Sequence, residues 1–455
     1  MSHHNPGVDV IVIGAGMAGL VCAERLRRRG YDVLLAEARD QVGGRTAGIE
    51  VDGETVDLGG QFIGPGQDRI YALAAELGVA IFPTHTAGAN VLETETGRVR
   101  RFRGMAPKLG PLTLLDVARA QSRLGRLART VDAETPWCGP NAAALDGQTL
   151  QSWIDRTVKT QGGRRFLVCA CRAIWACEPS ELSLLHALFY IKAAGSLAAV
   201  TDVEGGAQQD RLDGGAYGVA TRLAERLGAA IRLNAPVQRI EQNDSGVVVT
   251  VKDGTTWHAR HVVVAVPPPL AARIAFHPPL PAARDNLLQR LPMGNVIKYV
   301  VGYPAPFWRQ AGLSGAALSL RGPIALTVDS SPRSGRRGVL IAFVNGTPAR
   351  DLATRSPEDR RTTLLDSLGR LFGPQAATPV SFVERNWNEE AFTRGAYSAL
   401  FPPGAWTQLG STWRAPVGRI HWAGAETSPR WYGYIDGAVR SGEAAADAVA
   451  RAELH

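Results

Sequence analysis

After a short polar lead the chain turns apolar at Val8-Asp-Val-Ile-Val-Ile13, a near-continuous run of strand length typical of parallel strands covered on both faces. Leu20 to Arg29 spaces its apolar residues along one face of a helix, Gly30 ends it, and Tyr31 to Ala36 predicts a second strand. Val8 to Glu37 therefore has the length of one βαβ unit. From about Pro83 to Arg211 the period is mainly helical, with apolar faces in Leu112 to Leu127, Phe166 to Trp175 and Leu182 to Ile191. Val237 to Ile240, Val247 to Val251 and His261 to Val266, separated by the turn signals Asp244-Ser-Gly246 and Asp253-Gly254, predict a β-meander that Pro267-Pro-Pro269 closes. Strand-like Val296 to Val301 and Ile324 to Val328 follow, then helical Pro357 to Phe372. Near the end, Arg419 to Glu426 predicts a strand running into a glycine turn, and Gly433 to Ala438 opens a helix continuing to about Ala450. No internal repeat or low-complexity tract interrupts this order.

Composition narrows the classes. With 455 residues, 45% hydrophobic and 20% charged, the chain can bury the cores of two or three folding units, which excludes disordered, collagenous and miniprotein readings. The net charge of +8 would attract phosphates, but the arginines alternate with acids, as in Arg222 to Arg226, the pattern of a solvated face. No nucleic-acid partner is expected. Met1 to Asn5 lacks the basic-then-apolar order of a secretory signal, and His3 and His4 are too few for a tag. The most apolar stretch, Leu182 to Val200, is broken by His186 and Lys192, so no membrane span is expected. Cysteine is odd in number, five, and Cys169, Cys171 and Cys177 lack the paired spacing zinc prefers, which favours free thiols in a reducing cytoplasm and no metal site.

The chemistry begins at Gly14-Ala-Gly-Met-Ala-Gly19, set between strand and helix. Gly14 makes the tight turn, Gly16 lets the backbone approach a pyrophosphate, and Gly19 lets helix and strand pack closely. The helix start offers unpaired N–H groups to phosphate. Glu37 lies 23 residues after Gly14 at the end of the second strand, where a carboxylate accepts hydrogen bonds from ribose hydroxyls and disfavours a 2′-phosphate. This is a dinucleotide site; the motif alone leaves NAD and FAD both open.

Glu37-Ala-Arg-Asp-Gln-Val-Gly-Gly-Arg-Thr46 and Asp57-Leu-Gly-Gly-Gln-Phe-Ile-Gly64 decide between them, because here the chain resembles the flavin-containing amine oxidase family, which includes the monoamine oxidases. The resemblance implies an α/β flavoprotein of two domains, a Rossmann-like FAD-binding domain built from about 1–82, 212–288 and 391–455, and an α+β substrate domain from 83–211 and 289–390. It implies FAD contacts at Gly14, Gly16, Gly19, Glu37, Ala38, Arg39, Gly43, Gly44, Arg45, Gly60, Gln61, Val237, Trp387, Gly424, Glu426, Gly433 and Ile435. The Arg45 guanidinium is expected to oppose the pyrophosphate charge, and the helix opening at Gly433 to ease hydride acceptance by its electropositive end. Gly395 to Gly404 resembles the segment where monoamine oxidases bond a cysteine to the flavin. Ala396 stands there instead, so FAD is expected to be held noncovalently.

Tyr397 and Tyr434 match the two tyrosines of the family's aromatic cage, whose electron-rich faces guide an amine. Lys298, in Met293 to Trp308, matches a lysine that reaches the flavin's reactive nitrogen through water and is expected to assist dioxygen reduction. Ala173, Ile174 and Trp175 match an entrance segment, Leu326 a pocket residue, and Gly218 the place where a family glutamine approaches substrate. Neither the entrance segment nor the Leu326 strand offers a carboxylate on the expected face, and Asp329 falls on the opposite face from Leu326, which favours apolar monoamines over a diamine. The resemblance thus implies oxidation of a primary or secondary amine to an imine, hydrolysed to aldehyde or ketone, with oxygen reduced to hydrogen peroxide; a homodimer is common in the family, and a cytoplasmic location is expected of this chain. Three alternatives stand beside it: a same-fold amino-acid oxidase or desaturase, a flavin-stabilised binding protein, and a plain NAD dehydrogenase.

Overall fold

Strand β1 (Val8–Ile13), helix α1 (Met17–Arg28) and strand β2 (Val33–Ala36) form the predicted unit in a computed structural model that describes residues 7–51, 53–104 and 109–454. Met1 to Asn5, with His3 and His4, lie outside the described residues. Val10, Ile11 and Val12 of β1 are fully buried, as an apolar run covered on both faces requires. The helix begins at Met17 rather than Leu20, because Gly16 ends the turn in extended conformation directly before it. Gly14 has φ +101°, a conformation glycine alone adopts without strain.

Eight strands form the first sheet. β1 pairs in parallel with β2 and with Thr256–Val264, and β2 with Ile231–Arg232. The long Thr256–Val264 strand changes partner along its length: its first half pairs antiparallel with Gly246–Val251 of the meander, and its second half parallel with Ile420–Trp422. A residue more than 400 positions from the amino terminus thereby reaches the parallel centre of the sheet. On one face α1, Gly215–Leu227 and Ile435–Ala452 bury Leu20, Leu223 and Val439 in a common core. The first and last of these pack closely because Gly442 has no side chain: a Cβ there would stand 2.4 Å from the Ala18 carbonyl.

The second sheet has seven strands in the order Ser381–Asn386, Val296–Tyr303, Gly338–Asn345, Leu326–Asp329, Leu313–Ser319, Ala89–Glu93 and Val99–Phe102. Its last hairpin lies in the stretch read as mainly helical. The two strands are five and four residues long, too short to show a period, and they are ordered by parallel pairing of Ala89–Glu93 with Leu313–Ser319. A third body, helical, comprises Pro111–Arg129, Leu150–Thr157, Gln161–Trp175 and Leu184–Ala193 around a core with Phe401, Trp406 and Trp413. Among the described residues no helix is long and apolar enough to cross a membrane. All eight residues of Val296–Tyr303 are buried, including Lys298, and a buried lysine in a strand needs a reason.

Candidate active site

The two sheets and the helical body enclose a cavity of about 1210 Å³. At one end stand Gly14, Gly16, Glu37, Ala38, Arg39, Gly43, Gly44 and Val237; Gly60, Gln61, Trp387, Gly424, Gly433 and Ile435 line it further along. Gly16 faces open space, the nearest atom to a Cβ there being Gly44 Cα at 4.0 Å. The start of α1 carries no side-chain cap, so its N–H groups remain for a ligand. Glu37 is anchored by the N–H groups of Ala15 at 2.7 Å and Arg39 at 2.9 Å, while burial pushes its pKa above the ordinary carboxylate value. Arg39 donates through Nη1 to the Gly44 carbonyl, and its Nε stands 3.4 Å from Glu390; its buried Nε and Nη2 make no hydrogen bond. An uncapped helix start, a glycine with nothing in front of it and a guanidinium with unspent donors fit the pyrophosphate of a dinucleotide.

Gly19 and Glu426 lie behind the wall. A Cβ on Gly19 would be 1.9 Å from the Gly14 carbonyl, so this glycine serves the packing of helix on strand. Glu426 is 3% exposed and binds Arg45 through both carboxylate oxygens, Oε2 to Nη2 at 2.7 Å. The pairing bears on Arg45, whose guanidinium is expected to oppose the pyrophosphate charge. Its guanidinium lines the cavity, but Glu426 balances its charge, and Nη1 also donates to the Tyr397 carbonyl at 2.9 Å. Burial pushes the Glu426 pKa up, yet the charge and hydrogen bonds of Arg45 outweigh it and hold the carboxyl below its ordinary value.

At the other end Leu326, Phe343 and Lys298 are directly paired neighbours on three adjacent strands and form one cross-strand row facing the cavity. Lys298 Nζ donates to the carbonyls of Asp57 at 2.8 Å and Gly59 at 2.9 Å and to Gln61 Oε1 at 2.5 Å. These acceptors replace lost water. Burial pulls its pKa down to about 7, opposed by the nearby Asp57 carboxylate. Tyr397 and Tyr434 both line the cavity, and burial raises both phenols, Tyr434 to about 12. Trp387 donates to the Leu58 carbonyl at 3.1 Å.

Ala173 and Ile174 line this end, but Trp175 does not. It is 5% exposed in the helical core, edge-on to Tyr190 at 5.6 Å, and Tyr190 takes the place on the wall. The hydrophobic period of Leu182 to Ile191 marks Tyr190 as core, which hid it in the sequence. Gly218 is also displaced: it sits in the Gly215–Leu227 helix over the first sheet, away from the cavity. A glutamine stands on the wall ten residues earlier, Gln208, with its buried Oε1 unpaired. A carboxylate also lines the cavity, Asp202, just after the Leu197–Thr201 helix and bonded to Thr201 Oγ1 at 2.7 Å. Asp329 is spent elsewhere, on Trp308 and Arg309. Among the described residues no three His, Cys, Asp or Glu side chains group to hold a metal.

A family profile described as flavin containing amine oxidoreductase matches residues 17–450. A putative flavin-containing monoamine oxidase of Mycobacterium tuberculosis, AofH, is 43% identical over 443 residues, covering 97% of this chain and 96% of its own. Cyclohexylamine oxidase from Brevibacterium oxydans superposes with a TM-score of 0.94 at 34% identity, covering 99% of this chain and 100% of that one. Putrescine oxidase bound to putrescine superposes with a TM-score of 0.93 at 35% identity, covering 98% and 99%.

The Arg45–Glu426 pair can be tested by stability. Replacing Glu426 with Gln leaves a buried guanidinium uncompensated and is expected to cost about 3–5 kcal/mol at neutral pH. Because the folded pKa of Glu426 is depressed, its contribution is present above the unfolded value and lost as pH falls through the folded one. Denaturant unfolding should therefore show the gap between wild type and Glu426→Gln closing in acid.

Proposed function

The chain belongs to the flavin containing amine oxidoreductase family and oxidises amines with FAD, and from that premise we propose that its substrate is an apolar primary or secondary monoamine. The apolar character of the wall formed by Leu326, Val328, Phe343 and Ile174 carries this reading. The lining cations leave an amino-acid carboxylate poorly served: Arg39 and Arg273 stand toward the dinucleotide end, Arg45 is bound to Glu426, and Lys298 already donates to Asp57, Gly59 and Gln61.

The chemistry supplied by bound FAD is hydride acceptance from the amine's α-carbon, with the electrons passing to oxygen as hydrogen peroxide. The chain's own groups do the rest. Gly16, the start of α1 and Arg39 are assigned to the pyrophosphate and Glu37 to the ribose. Tyr397 and Tyr434 orient the amine by their electron-rich faces. The amine must arrive as the free base, so reduction rises with pH. The resulting imine is hydrolysed by water. The domain division at 1–82, 212–288 and 391–455 against 83–211 and 289–390 is supported by the eight- and seven-stranded sheets, each of which draws its strands from one set, while the small sheet of Phe62–Ile63, Asp210–Leu212 and Ile81–Pro83 lies at the boundary between the sets. Noncovalent FAD is supported by Ala396, which lines the cavity beside Tyr397 and offers no thiol. Acid or heat denaturation should release the yellow chromophore into the supernatant; a chromophore that stays with the precipitated chain would refute noncovalent binding.

Asp202 favours a second reading, a diamine whose distal ammonium it binds. Anaerobic mixing with benzylamine, butylamine and putrescine, following flavin absorbance, separates the two. Bleaching by the first two at rates at least tenfold above putrescine supports the monoamine. The reverse order, lost in Asp202→Asn, supports the diamine. No bleaching by any amine would sink both.

Lys298 is assigned to oxygen reduction. Its ammonium form is present below a pKa of about 7 and lost above it, so flavin reoxidation should slow as pH rises through that value. Lys298→Met should slow reoxidation about tenfold or more and abolish that pH dependence in stopped flow, while reduction changes little. Equal slowing of both half-reactions would remove the oxygen role.

A further inference from the structure

Asn345 ends the Gly338–Asn345 strand, is fully buried, and stands behind the cavity wall. Its Nδ2 donates to the Arg172 carbonyl at 3.0 Å and to Tyr397 Oη at 3.1 Å. A carbonyl can only accept, so Arg172 dictates which end of the Asn345 amide is the NH2 group. The Arg172 carbonyl is itself held, taking the Ala176 N–H at 2.9 Å in the last turn of the Gln161–Trp175 helix. With the amide fixed, Tyr397 Oη must accept from Asn345. The hydroxyl's own hydrogen then turns away from that side chain. Two further contacts fix the tyrosine: Phe343 meets its ring edge-on at 6.1 Å, and Arg45 holds its carbonyl.

We propose that Asn345 is a positioning residue that makes Tyr397 present its hydroxyl hydrogen, rather than a lone pair, toward the cavity, and so disfavours the ammonium form of the amine. This rests on the reading that Tyr397 stands beside the substrate. An ammonium group has only hydrogens to offer and no lone pair with which to accept one. A phenol whose oxygen is already engaged by Asn345, with its hydrogen outward, repels it; the free base meets no such conflict. The device acts on the protonation state of the substrate without any titration of the protein.

The test is anaerobic flavin reduction by benzylamine across pH 7 to 10 in wild type, Asn345→Leu, Asn345→Asp and Tyr397→Phe, with each Asn345 variant also made in the Tyr397→Phe background. Asn345→Leu should slow reduction about five- to tenfold, the scale of one lost hydrogen bond, and leave reoxidation by oxygen unchanged. Asn345→Asp can only accept, so the phenol hydrogen turns to it and a lone pair faces the cavity; the apparent Kd should then rise less steeply as pH falls. Both effects should vanish when Tyr397 is already Phe. Unchanged reduction and pH profile in the Asn345 variants, slowing of both half-reactions alike, or full additivity with Tyr397→Phe would each overturn the proposal. If the buried charge of Asn345→Asp prevents folding, Asn345→Leu and its double-variant cycle decide alone. Tyr397→Phe and Tyr397→Ala that both reduce at the wild-type rate would instead overturn the placement of Tyr397 beside the substrate, a result distinct from failure of the Asn345 cycle.

Discussion

The Arg45–Glu426 ion pair joins parts of the chain that are 381 positions apart, and most of the site hangs from it. Arg45 follows the glycine pair near the first βαβ unit, and Glu426 follows the last strand of the same sheet. Between them they hold the Tyr397 segment at two points, Arg45 through the Tyr397 carbonyl and Glu426 Oε1 through the Ala399 N–H at 3.1 Å. Burying two charges is expensive, and their mutual attraction offsets it only when both forks are filled. Here they are. The pair's contribution is geometric: three segments that share no local sequence meet at fixed separations, and the cofactor end and the aromatic wall become parts of one cavity.

Lys298 shows the same logic in the second sheet. A lysine in a strand buried along its whole length must find acceptors, and it finds them in the loop from Asp57 to Gln61, far from it in sequence. The loop is held against the sheet by these bonds and by Trp387 on the Leu58 carbonyl. One cation thus fastens the sheet to the loop that follows the glycine pair, while burial keeps its proton weakly held.

Much of this was legible in the sequence where the cause is local. The βαβ unit, the meander and the final helix follow from hydrophobic period and glycine turns, and the residues at the dinucleotide end are tied to backbone conformation there. What the sequence hid is tertiary. Tyr190 and Trp175 are both aromatic residues on apolar helical faces, and only the packing of one helix on another decides which of them reaches the cavity. Gly218 lies in a regular helix, whereas the wall glutamine, Gln208, sits in the irregular segment before it, where no period guides alignment. The partner of Arg45 could not be foreseen from spacing at all. The short Ala89–Glu93 and Val99–Phe102 hairpin exists because a distant strand completes it.

The row of Leu326, Phe343 and Lys298 has a consequence for how such a protein changes over generations. Neighbouring strands present these three side chains side by side on a common backbone ladder, with the phenylalanine as a spacer between the other two. Replacement at Leu326 changes the cavity wall at its own position without disturbing the lysine two strands away, since the ladder's main-chain bonds are indifferent to what hangs from it. Side chains along that wall can therefore be exchanged one at a time, while the lysine and its main-chain acceptors are inherited unaltered.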